Sequence, residues 1–481
     1  MYTDWLGIIP VMVLSGGGLI IFCVGAFWRR RPAGLLFALA LLTVAATLAA
    51  AAWIEPTAPT FLGHLDLGPY ARYFTFLLAA ITGLTLLFVR RYAQVRGFGG
   101  DEFYGLLLFA ALGMVLVAGA VHWLIFFLGL ELLSLSLYVL IAVRKDEPRS
   151  GEAGLKYFIV GAVATAFLTF GIAVLYAVTG TLEMAGSLAA NAGSQDDLPL
   201  FLLALSLILV GVGFKISLVP FHLWTPDVYE GAPAPLTAFL STGSKVALFA
   251  ALVRFSLLLS PPVWLYLWPA LWVLAVLTMV VGNLTAIYQS RLKRLLAYSS
   301  VAQMGYLFMT LLAVQQGATP ALLFYLAVYA VMDLGAFGIV GILSPPGEDR
   351  DALEDYQGLG FSHPWRAGIL AVCLISLTGL PPTAGFMGKF MLFRAVLHAN
   401  FPVLAVVGIL TVIVSIFYYL KVAVALYMQP QSATGPTIPG IDPAIGLALG
   451  VILVLLIWGG IYPTTLFELL GRVAALTTAP A

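Results

Sequence analysis

Along this 481-residue chain, apolar runs alternate with short polar connections. The runs fall at roughly 5–27, 33–53, 70–89, 103–120, 122–143, 152–178, 198–228, 234–256, 263–286, 295–313, 320–343, 367–397, 402–428 and 444–464. A helix needs about 20 apolar residues to cross the hydrocarbon core of a bilayer. The runs have that length and lack the every-second-residue alternation of a membrane β-barrel. The pattern therefore predicts an all-α polytopic membrane protein of fourteen transmembrane helices. The fourth and fifth runs nearly touch, so a merged single span is the main alternative there. The first run has no basic leader or small-residue cleavage site before it and is expected to be a retained helix.

Two runs, 198–228 and 367–397, are too long for one straight crossing, and each contains proline: Pro220 in the first, Pro381 and Pro382 in the second. Proline lacks the backbone donor and crowds the preceding turn, so both helices should break near mid-membrane. The two lie five spans apart. Broken helices at matching places in two halves point to an inverted-repeat transporter. The expected division is one membrane domain over 1–481: spans 1–3 in 1–100, a first repeat of spans 4–8 in 101–258, a second of spans 9–13 in 259–430, and span 14 with a tail in 431–481. The connections at about 54–69, 181–197, 344–366 and 429–443 are too short to fold alone. Within the third, Asp351-Ala-Leu-Glu-Asp355 suggests a short surface helix.

Composition agrees with the pattern: 62% of residues are hydrophobic, 9% are charged, and mean hydropathy is +1.03. A net charge of +1 suggests no nucleic-acid partner. The two cysteines, Cys23 and Cys373, are too few for a disulfide framework or an iron–sulfur ligand set. Dinucleotide-binding and Walker motifs are missing from the sequence, so no bound nucleotide, metal or redox centre is expected in this chain. Arginine and lysine cluster after spans 1, 3, 5, 9 and 11, at Arg29–Arg31, Arg90, Arg91, Arg96, Arg144, Lys145, Arg149, Arg291, Lys293, Arg294, Arg350 and Arg366. The connections after spans 4, 6, 10 and 12 contain neither. Basic connections stay on the cytoplasmic side, which places both termini outside.

Charges within the spans stand against this background, because each costs on the order of 3 kcal/mol at a helix centre. Glu131 lies mid-way along span 5, with Ser134 and Tyr138 on the same face. It suits a proton site or a charge that governs a neighbour, although a structural ion pair would look the same. Lys215 lies a turn before Pro220. A lysine that loses its hydration can give up its proton, whereas arginine stays charged. Lys245, in span 8, shares a face with Thr237 and Ser241, and hydroxyls beside an amine can order a water chain; helix packing is the plainer reading. Lys389 lies past the second break. Asp333, in span 11, follows Tyr325 and Tyr329 on one face, and Lys421 of span 13 is a candidate partner for it. His222, just after Pro220, suits a relay or a structural hydrogen bond equally. Lys156, near the cytoplasmic end of span 6, could join this buried group or reach the interface.

Three segments carry a family resemblance. GFKISLVPFHLWTPDVYEGAPAPLTAFLSTGSK (213–245), NLTAIYQSRLKRLLAYSSVAQMGY (283–306) and GLPPTAGFMGKF (379–390) resemble the spans 7–8, 9–10 and 12 of the antiporter-like membrane subunits of respiratory complex I, the proton-pumping NADH:quinone oxidoreductase. The stretch VYEGAPAP, and a lysine rather than a glutamate at Lys389, are similar to subunit N rather than to subunits L and M. The resemblance implies a proton-translocating, non-redox subunit of a translocase in a bacterial cytoplasmic (inner) membrane. It implies a role for Glu131 as modulator of Lys215, for Lys215 as the input lysine, for Lys245 as the connecting lysine and for Lys389 as the output lysine, with His222 in the central polar axis. It implies no cofactor here, with FMN, iron–sulfur clusters and quinone in partner subunits. Its partners would be the lipid bilayer and other membrane subunits of complex I, including neighbouring antiporter-like and small subunits. Asp333 departs from the neutral residue expected at its place. A subunit of a multi-chain Na⁺(K⁺)/H⁺ antiporter is the alternative.

Overall fold

The computed structural model describes residues 5–28, 32, 34–55, 60–189, 197–344, 351–430 and 442–477. The chain opens with helices α1 (Ile9–Phe27) and α2 (Leu35–Trp53). A hairpin of two-residue strands follows, β1 (Thr60–Phe61) antiparallel to β2 (Leu65–Asp66), and then α3 (Pro69–Arg96). Next come α4 (Asp101–Gly119), α5 (Trp123–Ile141), α6 (Pro148–Thr179), the short α7 (Met184–Ala189), α8 (Leu198–Lys215) and α9 (Trp224–Gly231). Helix α10 (Ala234–Phe239) passes through a π turn at Leu240–Ser244 into α11 (Lys245–Leu258). The rest is α12 (Pro261–Ile287), α13 (Leu292–Leu311), α14 (Thr319–Leu343), α15 (Leu359–Ser362), α16 (Pro364–Thr378), α17 (Ala384–His398), α18 (Pro402–Met428), α19 (Pro443–Ile461) and α20 (Pro463–Thr477).

Twelve of the described helical segments are long and apolar enough to cross a membrane. The other two expected spans fall on α13, which is long but more polar, and on the pair α16 and α17. Runs four and five are separate helices, parted by extended backbone at Ala120 and His122. Proline sets several starts: α3, α6, α12, α18 and α19 all open on one, where its missing donor costs nothing and its fixed φ suits the first turn. The expected surface helix at Asp351–Asp355 is instead a 3-10 turn, Leu353–Tyr356, docked on the Ser290–Leu292 connection by two backbone hydrogen bonds. The tail after the last span is helical too, as α20, which packs on α3 and α14.

Small residues let helices touch backbone to backbone, the usual route to tight packing in lipid. A methyl on Gly113 of α4 would stand 2.5 Å from the Leu133 nitrogen of α5. One on Gly171 of α6 would stand 2.9 Å from the Ala204 carbonyl of α8, and one on Gly211 of α8 would stand 2.9 Å from the Ala164 carbonyl of α6. The centre of the molecule is α10–α11 and α14: the α10–α11 span is wholly buried and α14 nearly so.

Candidate functional site: buried lysines at two helix breaks

Both long runs break where proline stands. Helix α8 ends at Lys215, the chain passes through Pro220, and α9 resumes at Trp224. Helix α16 ends at Thr378, the chain passes through Pro381 and Pro382, and α17 resumes at Ala384. The peptide bonds preceding Pro220 and Pro382 are cis.

Lys215 is the last residue of α8 and is buried. Its Nζ donates to Ser134 Oγ at 2.7 Å and to Tyr138 OH at 3.2 Å, both on α5. The rings of Tyr138, Tyr157 and Phe214 lie 5.2, 5.3 and 5.7 Å from the same nitrogen, within cation–π range. Glu131 belongs to the same stripe of α5 but is engaged elsewhere: its Oε1 accepts from the Thr165 hydroxyl of α6 at 2.8 Å. Among the described residues no hydrogen bond or ion pair joins Glu131 to Lys215. Room for Tyr138 comes from Gly161 of α6, where a methyl would stand 2.1 Å from the phenol oxygen. Beyond the break, His222 is buried and its Nδ1 has no hydrogen-bond partner among the described residues.

From Lys215 a chain of rings leads onward. Tyr157 stacks on Trp224 at 4.7 Å, Trp224 meets Tyr229 at 6.1 Å, and the Tyr229 ring lies 5.4 Å from Lys245 Nζ. Lys245, fully buried, donates to Ser300 Oγ of α13 at 2.5 Å. Ser300 Oγ is 2.6 Å from Tyr329 OH, and Tyr329 donates to Asp333 Oδ2 at 3.4 Å. Asp333 also accepts from the Ser241 hydroxyl. The expected Asp333–Lys421 pairing is thus replaced. Lys421 is exposed and donates to the Gln289 carbonyl at 3.0 Å, whereas Ser241 of the π turn and Tyr329 of α14 itself, not α18, bring hydroxyls to Asp333.

Lys389 lies in the second turn of α17 and reaches back across the break. Its Nζ donates to the carbonyls of Leu377 (2.7 Å) and Thr378 (3.1 Å), the open C-terminal end of α16, with the Tyr306 ring 5.0 Å away. The negative end of a helix dipole suits an ammonium there. Gln303 of α13 donates to the same Leu377 carbonyl and takes a hydrogen bond from Tyr325. One face of α13 therefore touches the partners of both Lys245 and Lys389, through Ser300 and Gln303 one turn apart. The motif reading passed over these residues, although YSSVAQMGY puts Ser299, Gln303 and Tyr306 on one face.

Lys156 does not join the buried lysines. It pairs with Glu152 and Asp227, each at 2.8 Å, in a polar cavity of about 230 Å³ that also holds Arg149, Glu230, Arg291 and Arg294. Arg294 bridges Asp227 (2.7 Å) and Glu230 (2.8 Å), so α9 is tied to both α6 and α13 at this end. Arg291 reaches Asp351 at 3.6 Å, and burial pushes the Asp351 carboxyl above its ordinary value while Lys293 and Arg291 pull it down. The basic connections after spans 5 and 9 thus share one end of the molecule.

Residues 120–415 match the family described as NADH:quinone oxidoreductase/Mrp antiporter, TM, which is more than half of the chain. The chain belongs to this family. It is 50% identical over 468 residues to NADH-quinone oxidoreductase subunit N 1 of Solidesulfovibrio magneticus, covering 97% of both proteins. A chain of respiratory complex I from Thermus thermophilus is 37% identical, with a TM-score of 0.80 over 95% of this chain and 98% of that one. A chain of the Mrp complex from Dietzia sp. shares the fold, with a TM-score of 0.84 over 99% of this chain and 98% of that one, at 21% identity. The chain is a multi-pass membrane protein of the subunit N type.

Proposed function

We propose that this chain carries protons across a bacterial cytoplasmic membrane as a membrane subunit of a respiratory NADH:quinone oxidoreductase. FMN, iron–sulfur clusters and quinone reside in partner subunits, and quinone reduction there supplies the energy. The chain is a conduit rather than a pump in itself, with both termini on the periplasmic side. Its two five-span halves, 101–258 and 259–430, each contribute a half-channel centred on a broken helix.

The observation that carries this reading is the separation of Glu131 from Lys215. The amine rests on two neutral hydroxyls, and the carboxylate rests on Thr165, on the next helix. Two hydrogen-bonded resting places for one ion pair are what a switch needs. In contact, the carboxylate holds the lysine's proton; apart, the desolvated ammonium gives it up. The proton then passes to Lys245, along α13, and to Lys389 at the second break. The contacts along Tyr157, Trp224 and Tyr229 are ring contacts and make no hydrogen-bonded chain among the described residues, so the step from Lys215 to Lys245 requires water to enter beside them. His222, buried beside the opened helix with a free ring nitrogen, is a stop for such a water.

The test is Lys215→Ala in the assembled complex, reconstituted in vesicles. Proton uptake per NADH oxidised falls by about tenfold or more while the amount of assembled complex is unchanged. Normal pumping by that variant overturns the assignment.

A further inference from the structure

We propose that Asp333 is a second proton-holding carboxylate, loaded from Lys245 through the hydroxyls of Ser300 and Tyr329. The inference rests on the translocation reading above and adds to it a branch that leaves the lysine series at Lys245.

The geometry is a continuous hydrogen-bonded chain. Lys245 Nζ donates to Ser300 Oγ (2.5 Å), Ser300 Oγ meets Tyr329 OH (2.6 Å), and Tyr329 OH donates to Asp333 Oδ2 (3.4 Å). Serine and tyrosine hydroxyls each donate one proton and accept others, so the chain can pass a proton without moving a heavy atom far. Each hand-off breaks one bond and makes one. The Lys245 N–H breaks as Ser300 gains a proton, Ser300 gives its own to Tyr329, and Tyr329 gives its own to Asp333 Oδ2. A neutral amine and a neutral carboxylic acid remain, and no oxidant or reductant takes part.

Two further observations make Asp333 more than a structural counter-ion. Its Oδ1 is buried with no hydrogen-bond partner among the described residues, an arrangement poorly suited to a permanent carboxylate. The Tyr329 hydroxyl also has three acceptors within reach of its one proton: Ser300 Oγ, Asp333 Oδ2, and the Ser241 carbonyl at 3.1 Å. That carbonyl belongs to the π turn at Leu240–Ser244, a local widening often found at functional positions. When Tyr329 points to Ser241 the chain to Asp333 is open-circuited; when it points to Asp333 the chain is complete. Tyr329 is thus the gate of the branch, and α10–α11 supplies both the amine and the alternative acceptor.

The experiment uses the whole assembled complex. Asp333→Asn, Tyr329→Phe and Ser300→Ala are compared by protons taken up per NADH oxidised and by redox-difference infrared spectroscopy in the carboxylic-acid carbonyl region. Asp333→Asn is expected to lower pumping by about threefold or more and to remove one carboxyl band. Tyr329→Phe and Ser300→Ala keep the carboxyl, so the band stops responding to turnover while pumping falls as in Asp333→Asn. An unchanged spectrum and unchanged pumping in Asp333→Asn overturn the proposal. So does a defect in Asp333→Asn that neither hydroxyl variant shares, because that pattern marks a structural charge. Should Asp333→Asn fail to assemble, the infrared response of Tyr329→Phe decides alone. If Lys215→Ala loses pumping while the Asp333 branch variants do not, only this inference fails; if Lys215→Ala also pumps normally, the translocation reading fails with it.

Discussion

The two broken helices do the same thing to the chain and differ in what surrounds the gap. At the first break, Lys215 stands before the gap and rests on the hydroxyls of Ser134 and Tyr138, with rings around it and Glu131 within the same stripe. At the second, Lys389 stands after the gap and is held by two backbone carbonyls of α16. The packing differs in the same sense. A methyl on Gly213, near the first break, would meet the Phe221 ring at 3.2 Å. A methyl on Gly385, at the second, would stand 1.8 Å from the Ser376 carbonyl oxygen, and one on Gly460 of α19 would stand 2.0 Å from that of Pro382. Side chains line the first break and backbone clamps the second. One lysine has partners that can move; the other has fixed partial charges that cannot.

This contrast can be broken experimentally. The largest expected effect is at Gly385→Ala, where the clash is with backbone and cannot be relieved by a rotamer change. More than about 3 kcal/mol of destabilisation is expected, seen as little or no assembled complex on a native gel. Lys389→Ala comes next: pumping per NADH in vesicles falls by about tenfold, as for Lys215→Ala, with assembly retained. Normal pumping would mean that the two breaks are not both used. Glu131→Gln is expected to cost about three- to tenfold in pumping, measured the same way, because Glu131 shares the α5 stripe that holds Lys215, whereas Lys389 is held by backbone carbonyls. A silent Glu131→Gln removes the physical basis for calling that break the switch. Smallest is Gly213→Ala, where a ring must yield by a few tenths of an ångström while the helix gains about 1 kcal/mol of propensity. The thermal midpoint of the assembled complex should stay within a few degrees of the parent; a large drop would show that the first break is as tightly clamped as the second.

Much of this was legible beforehand for reasons specific to membranes. Apolar length reports crossing, and proline inside an overlong run reports a break, so α8/α9 and α16/α17 were both foreseen. Intramembrane charge is costly enough that Glu131, Lys215, Lys245, Lys389 and Asp333 all stood out. What failed was pairing. Lys421 looked available to Asp333 in sequence, but adjacency of α14 to α10 and to the π turn is a property of packing alone. Lys156 was ambiguous because its partner, Asp227, lies on α9, whose direction depends on the break. Ser300, Gln303 and Thr165 went unread because hydroxyls and amides in a span are ordinary helix-packing groups, and nothing in their spacing marks them as partners of a particular amine.

The contact between α6 and α8 has a consequence for descent. At Gly171 and Gly211 the atoms that would meet a new methyl include carbonyl oxygens, at 2.9 Å in each case. No compensating substitution on the facing helix can shrink a carbonyl. Drift at these positions therefore requires the helix backbones themselves to shift by a few tenths of an ångström. A lineage that carries a larger residue at either one has had to respace the two helices.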